Sequence, residues 1–100
     1  MAKFDRYDKE SGLSDNLCTK IYQDKYGYLW IGTANGLNRF DGYEFIHYLS
    51  IPGDTTSLSG NFISDITEDQ YGNLWIATHN GLNKYDRKNN QFIRWEKTET

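Results

Sequence analysis

The segment Leu29-Trp30-Ile31-Gly32-Thr33-Ala34-Asn35-Gly36-Leu37-Asn38-Arg39-Phe40-Asp41 recurs 45 residues later as Leu74-Trp75-Ile76-Ala77-Thr78-His79-Asn80-Gly81-Leu82-Asn83-Lys84-Tyr85-Asp86. The same spacing relates Gly27 to Gly72, Asp24 to Asp69, Ile21 to Ile66, Asn16 to Asn61 and Leu13 to Leu58. Roughly half of the aligned positions are identical, so the chain is a tandem repeat, and its fold follows from what one such unit can form.

Within the first unit, Leu17–Gln23 reads as a strand of mixed polarity. Asp24-Lys25-Tyr26-Gly27 is a turn in which the aspartate can accept from its own downstream backbone. Tyr28–Thr33 is a second strand. Asn35-Gly36 predicts a tight hairpin with positive φ at both residues. Leu37–Phe40 is the third strand, and Asp41-Gly42 turns it into a fourth, Glu44–Tyr48. A polar connection, Ser50–Ser57, leads to the second unit, whose third-to-fourth turn is two residues longer. Phe4-Asp5-Arg6-Tyr7 shares the aromatic-x-x-aromatic pattern of Phe45–Tyr48 and Phe92–Trp95, and is expected to be an additional copy of the fourth strand. No helical periodicity survives, and the chain is all-β.

About 45 residues holding four antiparallel strands is the sequence form of a β-propeller blade. The consecutive apolar residues Leu29-Trp30-Ile31 and Leu74-Trp75-Ile76 require cover on both sheet faces, as a blade between two neighbours has. Trp30, Ile31, Trp75 and Ile76 are therefore expected to pack between blades, while Gly32 and Ala77 leave room for a neighbour's side chain. The organisation expected is residues 1–10 as an extra outer strand and inter-chain clasp, 11–50 as blade 1 and 51–100 as blade 2.

Composition narrows the function. A net charge of −3, with acidic and basic residues interspersed, provides no basic stripe for nucleic acid. No apolar run reaches the roughly 18 residues of a membrane span, and Met1-Ala2-Lys3-Phe4 reads as no export signal. Neither nucleic acid nor membrane is expected as a partner. The single cysteine, Cys18, aligns with Ile63 and is expected to be buried as a small apolar residue. His47 and His79 do not repeat, and Asp24, Asp69, Asp41 and Asp86 repeat at turns, where a structural hydrogen bond suffices. With no metal-ligand pattern, phosphate loop or nucleophile–base pair, neither a catalytic role nor a cofactor is expected.

The pattern Leu13-Ser14-x-Asn16, Ile21-x-x-Asp24-x-x-Gly27-x-Leu29-Trp30-Ile31-Gly32-Thr33-x-x-Gly36-Leu37-x-Arg39-Phe40-Asp41 closely resembles the two-component regulator propeller repeat. The resemblance spans residues 11 to 95, with small departures at Gly60, Ala77 and Lys84. It implies a sensor-type propeller of bacterial signalling proteins, many of which detect carbohydrates outside the inner membrane, and hence a periplasmic location.

Two blades leave two apolar faces without a neighbour, and propellers close with about four to eight blades or more. Head-to-tail association of three to five copies is the expectation, giving a closed ring of six, eight or ten blades. In such a ring the Phe4–Tyr7 and Phe92–Trp95 strands would compete for one outer position. Two functions follow. One is a self-assembling structural building block, natural or engineered, whose partner is itself. The other is a sensing segment that binds a glycan or another small polar ligand at the channel mouth. There, Asn16, Asn35, Asn61, His79 and Asn80 are the candidate contacts, because amides supply both donors and acceptors to sugar hydroxyls.

Overall fold

The computed structural model describes residues 14, 15 and 17–95; the expected Phe4–Tyr7 strand and Asn16 lie outside them. The described chain forms two four-stranded antiparallel sheets in simple up-and-down order. The first contains β1 (Cys18–Gln23), β2 (Leu29–Thr33), β3 (Gly36–Phe40) and β4 (Phe45–Tyr48). The second contains β5 (Ile63–Glu68), β6 (Leu74–Thr78), β7 (Gly81–Asp86) and β8 (Gln91–Trp95). Both are blade-like sheets of the expected type.

The hairpins differ from expectation in one respect. The register pairs Thr33 with Gly36 and Thr78 with Gly81, so the loops are Ala34-Asn35 and His79-Asn80. Among the described residues only Gly36 and Gly81 take positive φ there, at 121° and 141°; Asn35 and Asn80 do not. The cause is the preceding threonine. Its hydroxyl accepts the Asn35 or Asn80 N–H at 3.0 Å, holding the asparagine on the ordinary side of φ space and leaving the unusual conformation to glycine.

Alternation along the strands gives each sheet two apolar faces. In blade 1, Trp30, Leu37 and Tyr48 point toward blade 2 and join its Leu58, Ile63, Ile66, Leu74, Ile76, Tyr85 and Phe92 in the main core. Trp30 is fully buried, its ring 4.8 Å from that of Tyr85 in an edge-on contact and 5.8 Å from Tyr48 in a stacked one. Ile31 lies on the opposite face of blade 1, in a second cluster with Phe40, Leu29 and Phe45. The two sheets approach closely at Gly32, where an added Cβ would sit 2.5 Å from Ile63 Cγ2. A bulge between Cys18 and Lys20 accompanies an inter-blade bond, in which the Thr19 hydroxyl donates to the Ile63 carbonyl.

Cys18 is exposed, contrary to expectation. Its counterpart Ile63 is buried because blade 1 covers that side of blade 2. Cys18 occupies the same place on the side of blade 1 facing away from blade 2, so identity of position in the repeat does not carry identity of burial.

The Gly32 contact gives a direct test of the blade spacing. Gly32→Ala should lower the unfolding free energy by about 1–3 kcal/mol, the usual cost of overpacking. Ala77→Gly, at the equivalent position on the uncovered side of blade 2, should change it by about 1 kcal/mol or less. Urea unfolding of the two variants checks this; equal effects would mean that the sheets are not in contact at Gly32.

Candidate functional site

The covered face between the blades is held by polar contacts as well as apolar packing. Asp24 begins as a turn residue: its Oδ1 accepts the N–H groups of Tyr26 at 2.9 Å and Tyr28 at 3.1 Å. Its Oδ2 accepts the Trp30 indole N–H at 2.8 Å, fixing the ring that fills the interface. The same oxygen meets Arg87 of blade 2 at 3.0 Å, and the guanidinium also reaches Glu68 at 3.3 Å. The Asp24 side chain is fully buried. Burial works to raise its pKa, but the Trp30, Arg87 and backbone donors outweigh it and hold the carboxyl below its ordinary value.

Other cross-blade bonds surround this centre. Tyr22 donates to Glu68 at 3.2 Å and Arg39 to the Tyr85 hydroxyl at 3.0 Å. Asn90, with φ of 56°, accepts from the hydroxyls of both Tyr48 at 2.6 Å and Tyr85 at 2.7 Å. Arg87 and Asn90 both lie in the longer turn between β7 and β8, so the added residues place polar groups against blade 1.

The second repeat has the same internal scaffold. Asp69 accepts from Tyr71, Asn73 and the Trp75 indole, the last at 2.9 Å. The indole bond is the main reason its pKa is lowered to about 2. Here the aromatic face is open: Leu82 is 39% exposed and Trp95 56%, whereas their counterparts Leu37 and Tyr48 are 0% and 9%. Trp75 is half-buried, with Trp95 at 6.2 Å between ring centroids and Lys84 Nζ 6.0 Å from its ring. On the opposite face of blade 1, Ile21 is 44% exposed, whereas Ile31 and Phe40 are buried.

The hairpin ends carry the other candidate residues. Gly36 N–H donates to the Asn61 carbonyl at 2.6 Å, which brings the first hairpin against the start of blade 2. Asn61 Oδ1 accepts the Ser50 N–H at 2.7 Å, so its side chain already orders the connection between blades. Asn35, His79 and Asn80 are exposed. His79 sits edge-on to Phe62 at 6.5 Å, while the side-chain amides of Asn35 and Asn80 make no hydrogen bond within the described structure. Beneath each hairpin lies a buried polar core that sequence reading missed. Asn38 donates to Ser14 Oγ and to the Ile31 carbonyl, and Asn83 does the same with Ser59 and Ile76. The signal was present in the faithful repetition of Ser14/Ser59, Thr33/Thr78 and Asn38/Asn83. Among the described residues no cluster of side chains could hold a metal ion.

The Asp69 contacts set an acid limit. Its folded pKa lies below the ordinary carboxylate value, so its contribution to stability is present above roughly pH 5 and is lost as pH falls toward 2. The urea midpoint of the wild type should therefore drop more steeply between pH 5 and pH 2 than that of Asp69→Asn. Parallel curves would show that the indole bond does not favour the ionised carboxylate.

Comparison with known proteins agrees with this geometry. Residues 12–35 and 57–80 match the two component regulator propeller family. A histidine kinase, P4, of Formosa agariphila is 47% identical over 55 residues, 55% of this chain and 4% of the kinase. Among solved structures, the extracellular domain of the candidate hybrid two component system BT3049 from B. thetaiotaomicron superposes with a TM-score of 0.79 at 38% identity. That match covers 90% of this chain and 13% of the domain. The extracellular domain of the candidate one component system BT4673 from the same organism gives 0.72 at 39% identity, over 85% of this chain and 12% of that one. The chain thus spans a small part of each relative. It carries two consecutive two-component regulator propeller repeats.

Proposed function

We propose that the chain is a non-catalytic, two-blade segment of a sensor propeller whose open faces are covered by further blades. The observation that carries this reading is the pairing of faces. Trp75, Leu82 and Trp95 on blade 2 occupy the positions of Trp30, Leu37 and Tyr48, which blade 2 itself covers on blade 1. An exposed apolar face of that kind is an interaction surface. On the far side of blade 1 the exposed Cys18 and Ile21 are the counterparts of Ile63 and Ile66, which pack with Trp30 in the main core, while Ile31 is already buried with Phe40. Copies of the chain can therefore meet head to tail as a self-assembling ring of three to five protomers, and flanking repeats of a longer parent could fill the same faces. Native mass by light scattering across a concentration series tests the first route. Association should appear with rising concentration and be weakened about tenfold or more by Trp95→Glu, which places a charge on the apolar face. A wild-type monomer at all concentrations would remove the self-assembly reading.

A second reading is favoured by the unengaged amides of Asn35 and Asn80. With His79 they form an exposed polar set at one end of the blades, suited to the hydroxyls of a glycan or a similar polar ligand. A saccharide panel should then raise the melting temperature dose-dependently, and Asn35→Ala with Asn80→Ala should remove the response while leaving the ligand-free melting temperature within about 1 kcal/mol equivalent of wild type. A response that persists in the double variant would move the ligand site elsewhere.

A further inference from the structure

Asp24 and Asp69 are equivalent residues in different electrostatic states, and the difference identifies what belongs on blade 2's open face. Both carboxylates hold the indole of the interface tryptophan. Asp24 is also paired with Arg87, a residue of the blade that covers it. Asp69 is half-buried at the edge of the open face, and no ion pair to a cation joins it among the described residues.

We infer that the open face of blade 2 is built to receive a blade carrying an arginine in the turn after its third strand, directed at Asp69 as Arg87 is at Asp24. This rests on the reading that the open faces take further blades, and it selects among them. Blade 1 of a second copy lacks the polar part of this contact. At the place of Arg87 it has Gly42, at that of Tyr85 it has Phe40, and at that of Glu68 it has Gln23. Its turn is also two residues shorter and supplies no counterpart of Asn90. A blade of the second type supplies all four groups. Charge complementarity thus favours a partner resembling blade 2, and head-to-tail contact between identical copies proceeds without the central ion pair.

The deficit is local and can be repaired. Replacing the turn Asp41–Glu44 by the sequence of Asp86–Gln91 gives blade 1 the missing arginine without altering the face of blade 2. Sedimentation equilibrium of the wild type, this turn graft, and the graft combined with Asp69→Asn separates the outcomes. The graft should associate about tenfold or more tightly than the wild type, as expected for a charge-assisted hydrogen bond across an interface. Asp69→Asn should cancel that gain. Equal association of graft and wild type, or a gain that survives Asp69→Asn, would overturn the arginine inference and leave the covered-face reading standing. Absence of association in both would overturn the arginine inference and, with it, the self-assembly route, while leaving coverage by flanking repeats of a longer parent untouched. Should the graft fail to fold, Tyr43→Arg serves instead, since Tyr43 is 93% exposed in the existing turn and tolerates a long polar side chain. The same dependence on Asp69 is required of it.

Discussion

The structure depends on keeping a tryptophan fixed between two sheets. Trp30 is the largest fully buried side chain among the described residues, and a large ring in a two-sheet contact gains most when held in one orientation. Asp24 provides that constraint through the indole N–H, and the turn that positions Asp24 is itself closed by the same carboxylate. Turn, strand and interface are therefore tied to one side chain. Arg87 then joins the second blade to that side chain, so the neighbouring sheet is aligned through a charge as well as through its apolar residues. A buried charge pair adds little net stability over an apolar substitute, whereas removing one partner leaves the other charge buried and uncompensated.

This division of labour explains why the two repeats are alike inside and different at their borders. The Ser–Asn–Thr core under each hairpin and the Asp–Trp bond in each sheet serve the blade's own geometry, and both copies retain them. The groups that meet blade 1's aromatic face, Glu68, Tyr85, Arg87 and Asn90, belong to the second blade, which covers that face within this chain. A single repeat thus contains two kinds of information. One kind is common to all blades of the type, and the other distinguishes which blade sits beside which.

Sequence periodicity made the first kind legible. Eight strands, their order and the turns at Asp24 and Asp69 could be read from alternation and from repeated turn residues. The face-to-face role of Trp30 could be anticipated because three consecutive apolar residues need cover on both sides. The second kind was hidden. Nothing in the isolated sequence tells that Asp24 Oδ2 receives an indole six residues away and a guanidinium from the next unit, since both contacts depend on the twist of packed sheets. Cys18 shows the same limit from the other side: alignment with Ile63 predicted burial, but burial is conferred by the neighbouring blade and not by the repeat. The hairpins were assigned one residue too far along because the threonine hydroxyl, rather than the Asn-Gly pair, governs the turn.

The arrangement also separates the places where the molecule can change from those where it cannot. Asn35, His79 and Asn80 stand on loops whose shape is fixed from beneath by Thr33, Thr78, Asn38 and Asn83, so their exposed side chains can vary without disturbing the buried network. The blade faces lack that freedom, because every substitution there alters both an apolar contact and the alignment of a neighbour. Variation at the hairpin tips is thermodynamically cheap, and variation at the faces is not. A repeat built this way can diversify what one end of the assembly touches while conserving how its blades stack. That is the physical basis on which one sheet geometry can serve many sensor surfaces.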